Sequence, residues 1–307
     1  MEFNHIPVLF NETIDSLNIN PDGLYVDCTA GGGGHSGKIA SLLRNGRLIA
    51  IDRDPDAIAV LTERFKDKPQ VKVVHNTFNN IKAILDGEKA DGILADLGVS
   101  SFQLDEASRG FSFHKNAELD MRMSKEGASA KDLVNSLSVG ELTRIIRDYG
   151  EEKYANRIAN NIVNARSKKE IATTFELIDI IKVSMPQKAM RDSHPARRTF
   201  QALRIAVNGE LDQLDSALDD MFDSLKVGGV LSIITFHSLE DRMVKQRFNK
   251  FAQGCTCPKE FPVCVCGKTP AGKITVKGLA PSEEELEENP RSHSARLRSI
   301  TKLKELD

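Results

Sequence analysis

The stretch Asp27-Cys-Thr-Ala-Gly-Gly-Gly-Gly-His-Ser36 lies between an apolar run, residues 24–26, and a helical pattern at Ile39, Leu42 and Leu43. That order reads as strand, glycine loop, helix. Gly31 and Gly33 let the backbone pass close to a ligand and take torsions that other residues resist. A second apolar run, residues 47–51, ends in Asp52. A Rossmann-type unit places its ribose-binding acid close to that position. The pattern therefore points to a nucleoside cofactor across the ends of the first two strands, with a plain strand–helix turn as the bland alternative.

The spacing separates two kinds of cofactor. A dinucleotide loop reads G-x-G-x-x-G and holds a pyrophosphate on its helix N-terminus. Here an acid, Asp27, closes the first strand and the loop reads D-x-x-x-G-x-G. A carboxylate there would repel a pyrophosphate but suits a cofactor with a cationic amino group. This favours S-adenosylmethionine (SAM) over NAD.

With 307 residues, the chain can build one large or two moderate domains. Its net charge of −2 does not announce nucleic acid, although a local basic face remains compatible with it. There is no Trp and only three Tyr, so any aromatic stacking surface must use Phe. No run of about 18 apolar residues occurs, so no membrane span is expected. The first residues lack a basic n-region and an apolar h-region, so no signal peptide is expected and the reading is cytoplasmic. Cys28 stands alone, whereas Cys255, Cys257, Cys264 and Cys266 cluster. Such a cluster suits a tetrahedral zinc site, although C-x-C is tighter than the usual C-x₂₋₄-C. The alternative is a loop of redox-sensitive or merely small apolar residues.

Strands and helices alternate through the N-terminal part. Asp54 and Pro55 are expected to open a helix on Ile58, Leu61 and Phe65. Residues 71–74 and 93–95 are the next strands, the second ending in Asp96. Alternation gives a parallel sheet whose ligands bind at its carboxyl edge. Asp27, Asp52, the 75–78 segment and Asp96 all fall on that edge. From about 130 to 186 the pattern turns helical. Ser138-x-x-Glu141 and Thr173-x-x-Glu176 are capping boxes, and Gly150 is expected to end the first of these helices. A long helix over Leu211, Leu214, Leu218 and Leu225 then leads through Val227-Gly-Gly229 into a strand, residues 230–236. A helix over 239–251, the cysteine loop, a short strand at 274–276 and a basic tail follow. The expected division is a first sheet segment, 1–108, a helical insertion, 109–210, and a second sheet segment with the tail, 211–307.

Several residues carry candidate chemistry. The segment Asp96-Leu-Gly-Val-Ser-Ser101 follows the fourth strand, where amino-group methyltransferases carry a loop that holds an exocyclic amine. Asp96 could accept the amine N–H and aim its nitrogen, with a helix N-cap as the alternative. Phe78 suits an adenine ring or ordinary core. Phe111 and Phe113 suit a flipped base or, equally, core. His237 either contacts substrate or is structural, with Ser238 as expected cap of the next helix and Asp241 at N3. Arg191, Arg197, Arg198 and Arg204 form one basic group, and Lys245, Arg247 and Lys250 a second. Arg291, Arg296, Arg298, Lys302 and Lys304 form a third, in the tail. Three such groups in a near-neutral chain favour RNA phosphates.

Taken together, the motifs resemble one family. Asn4–Leu9, Gly32–Ser36, Ala50–Asp54, Asp91–Ser101, Arg109–Phe113, Leu119–Met123, Arg198–Arg204, Phe236–Arg242 and Asn289–Ser292 are similar to the bacterial RsmH (MraW) family. The resemblance runs from residue 4 to about 300. It implies an α/β fold: a class I (Rossmann-like) SAM-dependent methyltransferase sheet with an inserted all-helical domain. It also implies N4-methylation of a cytidine in the decoding region of 16S rRNA, with the small ribosomal subunit as partner. The family's SAM contacts fall on Gly33, Gly34, His35, Asp52, Phe78, Asp96 and Gln103. Gln103 enters on the resemblance alone, and Asp96 acquires a second role, holding the SAM amino group. The catalytic candidates are Asp96 and His237. The cysteine hairpin is not general in the family, so zinc stays open, as does the oligomeric state, a dimer included. A DNA amino-methyltransferase and a non-catalytic ribosome-assembly factor that binds SAM are the rival readings.

Overall fold

The computed structural model describes residues 7–190, 194–258, 260, 263 and 265–306. Asn4, His5, Ile6, Arg191 and Cys264 lie outside them. The chain divides into two compact units, Met1–Gly98 with Leu211–Asp307, and Val99–Glu210. The first break thus falls ten residues ahead of the 108/109 position read from sequence.

The first unit begins with α1 (Phe10–Leu17), β1 (Leu24–Asp27), α2 (Gly34–Leu42), β2 (Arg47–Asp52) and α3 (Pro55–Arg64). It continues through β3 (Val71–His75), α4 (Ile81–Leu85) and β4 (Ala90–Asp96). The second unit holds α5 (Ser101–Asp105), α6 (Ala130–Ser136), α7 (Val139–Gly150), α8 (Ala155–Arg166), α9 (Thr174–Ser184) and α10 (Arg197–Asn208). The chain then returns with α11 (Glu210–Asp223), β5 (Leu225–Thr235), α12 (Ser238–Phe251), β6 (Gly272–Leu279), α13 (Glu283–Glu288) and β7 (Arg296–Lys302).

Among the described residues, seven strands form one sheet in the order β3-β2-β1-β4-β5-β7-β6. Strands β1 to β5 run parallel, while β7 is antiparallel to both β5 and β6. Both faces of the parallel part are covered, so its strands read as continuous apolar runs. Successive side chains alternate between two cores. Val26, Ile49, Ile51, Ile93 and Ile233 face Leu85, Leu214, Leu218, Phe222 and Phe248. Tyr25, Leu48, Ala50 and Leu94 face Leu17, Ile39, Leu43 and Leu61 on the other side.

Local rules set several boundaries. Asp54 caps α3, accepting from the Asp56 N–H at 3.0 Å, and Pro55 occupies the first helical position, as the sequence indicated. Leu225, which the spacing placed in the preceding helix, is not helical. It starts β5, and the strand runs straight through Val227-Gly-Gly229 with an irregular register against β4 between Ala90 and Gly92. The basic tail is a sheet strand instead. Its burial alternates over Arg296–Lys302, and Leu297, Ser299 and Ile300 are buried. Lys302 is fully buried and donates to the carbonyls of Asp223 and Leu225, both at 2.9 Å, and to Glu305 at 2.6 Å. Arg298 grips Asp241 with two hydrogen bonds, 2.8 and 2.9 Å.

The second unit packs Leu142, Ile146, Ile158, Ile162, Leu177, Ile181, Phe200 and Leu203 into one core. The capping boxes at Ser138/Glu141 and Thr173/Glu176 both form. Buried Arg109 donates to the carbonyls of Arg122 and Met123, at 3.0 and 2.9 Å. Asn208 accepts from the Met123 N–H and donates to the Met121 carbonyl, both at 2.8 Å. These bonds hold the irregular segment before α6 to α10. α7 ends at Gly150, as the sequence indicated, with Glu151 as its left-handed C-cap at a φ of 48°. Gly150 also permits close approach, because a Cβ there would sit 2.6 Å from the Arg198 carbonyl oxygen on α10. Gly150→Ala should therefore push α7 off α10 and cost about 1–3 kcal/mol of stability. A denaturant-unfolding midpoint unchanged from wild type would contradict this packing.

Candidate active site

Three loops leave the carboxyl ends of β1, β2 and β4, and their polar contacts interlock. After β1 the chain turns back so that Ser36 Oγ donates to Asp27 Oδ2 at 2.6 Å and the Thr29 N–H to Asp27 Oδ1 at 3.2 Å. Burial pushes the Asp27 carboxyl up to about 6. The hydrogen bonds from Ser36 and Thr29 oppose that rise, and the Asp52 charge adds to it. Ser36 and Thr29 carry no motif of their own, yet both fix the loop. Thr29 Oγ1 also accepts the Asp96 N–H at 2.6 Å, joining the β1 loop to the end of β4.

Asp52 receives the Gly31 N–H on one oxygen at 2.7 Å and the Asp54 N–H on the other at 2.8 Å. Burial raises its carboxyl above the ordinary value against these bonds. An ionised carboxylate offers about four acceptor sites, so capacity for hydroxyl donors remains after two are used. Gly33 caps α2 at a φ of 80°, where a Cβ would also lie 3.1 Å from Leu61 and 3.0 Å from Arg64. Only glycine meets both demands. A Cβ on Gly34 would sit 2.4 Å from Pro7, so the backbone there is covered on one side.

Asp96 at the end of β4 is strongly perturbed. Burial first, then the charges of Asp27 and Glu240, push its carboxyl well above the usual range. Its Oδ1 is buried and has no hydrogen-bond partner among the described residues. A buried carboxyl oxygen left idle is costly unless a donor or cation meets it. Oδ2 lies 3.8 Å from Nδ1 of buried His35, whose ring is 5.6 Å from that of Phe10. Phe78 opens a short 3₁₀ turn after β3 and is half-buried against the core. Asp27, Asp52, Phe78 and Asp96 thus come together at one sheet edge, as the strand pattern indicated. Gln103 belongs to the helical unit, where its side-chain oxygen accepts the Ser100 N–H at 3.0 Å in the capping box of α5.

His237 is placed differently from its sequence reading. It, and not Ser238, caps α12, with Glu240 in place of Asp241 at N3. Glu240 Oε2 accepts the Phe236 N–H at 2.9 Å, and Glu240 Oε1 lies 3.1 Å from His237 Nε2. Asp241 is engaged by Arg298 instead. Buried Cys28 has its thiol pushed well up by burial and by Asp27, which removes it as a nucleophile. Phe111 is core, whereas Phe113 is half-buried and stacks on His194 at 4.6 Å. Of the basic groups, Arg204 is bound by Glu210, and Arg247 by Asp215 and Asp219. Arg197, Arg198, Lys245, Lys250 and Arg291 are exposed. Cys255, Cys257 and Cys266 bring their sulfurs together in the loop after α12.

The 3-2-1-4-5 parallel order closed by antiparallel β7, with acids ending β1, β2 and β4, defines a Rossmann-like methyltransferase. The chain belongs to the MraW methylase family, which it matches over residues 2–303. It is 56% identical over 309 residues to the ribosomal RNA small subunit methyltransferase H of Clostridium botulinum (strain Loch Maree), covering 99% of this chain and 100% of the relative. It is 55% identical over 311 residues to the protein of the same name from Lachnospira eligens, covering 99% of each.

The Asp27 carboxyl sets a pH dependence. Its proton is held more tightly folded than unfolded, so ionising it costs stability as pH rises from the ordinary 3.8 through about 6. Asp27→Asn should match wild type near pH 4 and gain on it up to pH 7. At about 1.4 kcal/mol per pH unit the ceiling is about 3 kcal/mol, reduced by the acceptor lost to Ser36. Thermal melts across this range test it, and a difference independent of pH would refute it.

Proposed function

We propose that this chain is a SAM-dependent methyltransferase that methylates N4 of a cytidine in the decoding region of 16S rRNA, in the small ribosomal subunit. The observation that carries the reading is full-length identity of 55–56% to proteins named ribosomal RNA small subunit methyltransferase H. The strand-end site suits the donor. Asp52 binds the ribose hydroxyls and Phe78 the adenine. Gly33, Gly34, His35 and Asp96 hold the methionine end. The buried, partnerless Oδ1 of Asp96 calls for a donor, and an α-amino cation meets that need. Gln103 is assigned to the donor on the family resemblance alone, since its observed bonds are those of a helix cap.

When bound, SAM supplies a methyl group on a positively charged sulfur. The cytosine amine has its lone pair delocalised into the ring, so the protein must chiefly align it. Transfer would be a single in-line displacement in which the nitrogen–methyl bond forms as the methyl–sulfur bond of SAM breaks, S-adenosylhomocysteine leaves and the nitrogen's proton passes to water. No covalent enzyme intermediate is needed, consistent with the inert Cys28. Asp96 orients the amine or the donor from the end of β4. The helical unit engages the RNA, with exposed Arg197 and Arg198 on α10 contacting phosphates and Phe113 stacking on a displaced base. Lys245, Lys250 and Arg291 extend the phosphate contacts. Among the described residues no helix is long and apolar enough to cross a membrane. The enzyme acts where ribosomal subunits are assembled, in the cytoplasm.

Labelled SAM should be offered with small subunits lacking the modification, naked 16S rRNA and DNA, and the products read by nucleoside mass spectrometry. N4-methylcytidine in ribosomal RNA and not in DNA is expected. Transfer to DNA, or SAM binding without transfer to any of the three, would overturn the reading. Asp96→Ala should lower kcat/KM at least about a hundredfold. His237→Asn preserves a good helix cap, so turnover should survive it if His237 only caps α12. Its loss, with an unchanged melting temperature, would place His237 against substrate.

A further inference from the structure

We propose that the loop between α12 and β6 holds a zinc ion on the thiolates of Cys255, Cys257 and Cys266. The loop is closed at its base, where the Ala271 N–H donates to the Phe251 carbonyl at 2.9 Å and the Phe251 ring stacks on Phe222 at 4.1 Å. Beyond that base none of the described residues in 252–270 is buried. Val263 and Val265 are 70% and 73% exposed. A segment this long without apolar burial needs another source of order to offset its conformational entropy.

The three sulfurs supply a metal's geometry. All lie within 4.8 Å of one another, and Cys255 Sγ and Cys266 Sγ are 3.7 Å apart. A disulfide requires about 2.05 Å. A tetrahedral zinc with bonds of about 2.3 Å to sulfur has S···S edges of about 3.8 Å. The C-x-C spacing, tighter than most zinc motifs, is accommodated by a turn in which the Cys257 N–H points at Cys255 Sγ, 3.4 Å away. The other two sulfurs also receive backbone donors. The Thr256 N–H reaches Cys266 Sγ and the Val265 N–H reaches Cys257 Sγ, both at 3.4 Å. Each of the three sulfurs thus accepts an N–H. Such bonds orient the sulfurs, as the outer shell of a thiolate metal site must. Soft thiolates select zinc over magnesium or calcium. The site is structural, pinning the loop, and is separate from the residues assigned to SAM. Cys264 lies outside the described residues, and the sequence makes it the available fourth thiol.

The test is metal content of the full-length chain, purified under reducing conditions with zinc and freed of excess. A single zinc ion per chain is expected, and cobalt in its place should show thiolate charge-transfer and tetrahedral visible bands. Cys255→Ser, Cys257→Ser and Cys266→Ser should each lose the bands, and Cys28→Ser should keep them. Loss on Cys264→Ser as well would give four thiolates, whereas persistence with altered bands would give three thiolates and a water. Wild type without stoichiometric metal, or a Cys255/Cys257/Cys266 triple serine variant that keeps its metal, overturns the proposal. Limited proteolysis guards against misfolded variants. Chelator-treated wild type should become newly cleavable within 252–270, and identical cleavage with and without chelator also overturns it.

Discussion

Everything at the working edge of the sheet depends on a set of carboxylates held in a place that resists ionisation. Asp27 is buried at the end of the central β1, and its only close relief comes from Ser36 and Thr29 of the loop that follows. Those bonds fold the glycine loop back over the strand ends. Thr29 then ties the same loop to Asp96, and Gly31 ties it to Asp52. The loop conformation and the raised proton affinities are therefore two aspects of one arrangement. Three acids crowded at one sheet edge, each with its proton affinity raised by burial, are a setting that a cationic ligand would relieve.

Much of this edge was legible in the chain, because parallel α/β sheets convert local signals into position. A short apolar run ending in an acid places that acid at the carboxyl edge whichever strand it ends, and Asp27, Asp52 and Asp96 were readable that way. Helix starts were equally local: Asp54-Pro55, Ser138/Glu141 and Thr173/Glu176 need only neighbouring residues to form. What escaped was decided at a distance. The Arg-Leu-Arg-Ser-Ile-Thr-Lys segment alternates correctly for a strand, but its charges resemble those of a solvated tail. Asp241 and the carbonyls of Asp223 and Leu225 meet them from far away in sequence, with Glu305 as a nearby acid for Lys302. The same remote pairing took Asp241 from the α12 cap and left the role to His237 and Glu240. Gly150 was legible as the end of α7, but its contact partner, the Arg198 carbonyl, cannot be seen in sequence.

Charge counting alone would have misjudged the nucleic-acid face. Arg204, Arg247, Arg298 and Lys302 all belong to basic clusters, yet each is bound by an acid within its own unit. These residues hold the protein together. The cations of those clusters left exposed are Arg197 and Arg198 on α10, Lys245 and Lys250 on α12, and Arg291.

The position of β7 has a consequence for how the chain is made. Among the described residues β6 pairs only with β7, which follows every other strand in sequence. The sheet that carries the strand-end acids is thus completed only once β7 has been made, while the uninterrupted segment forming the helical unit contains its own core before that. Assembly is ordered by this arrangement: a locally connected helical body can form first, and the edge of the long-range sheet is sealed last. A chain cut before β7 would lose Lys302 and the antiparallel neighbour of β5 together. Truncation there should therefore leave an open sheet edge, the kind of surface that pairs with other chains.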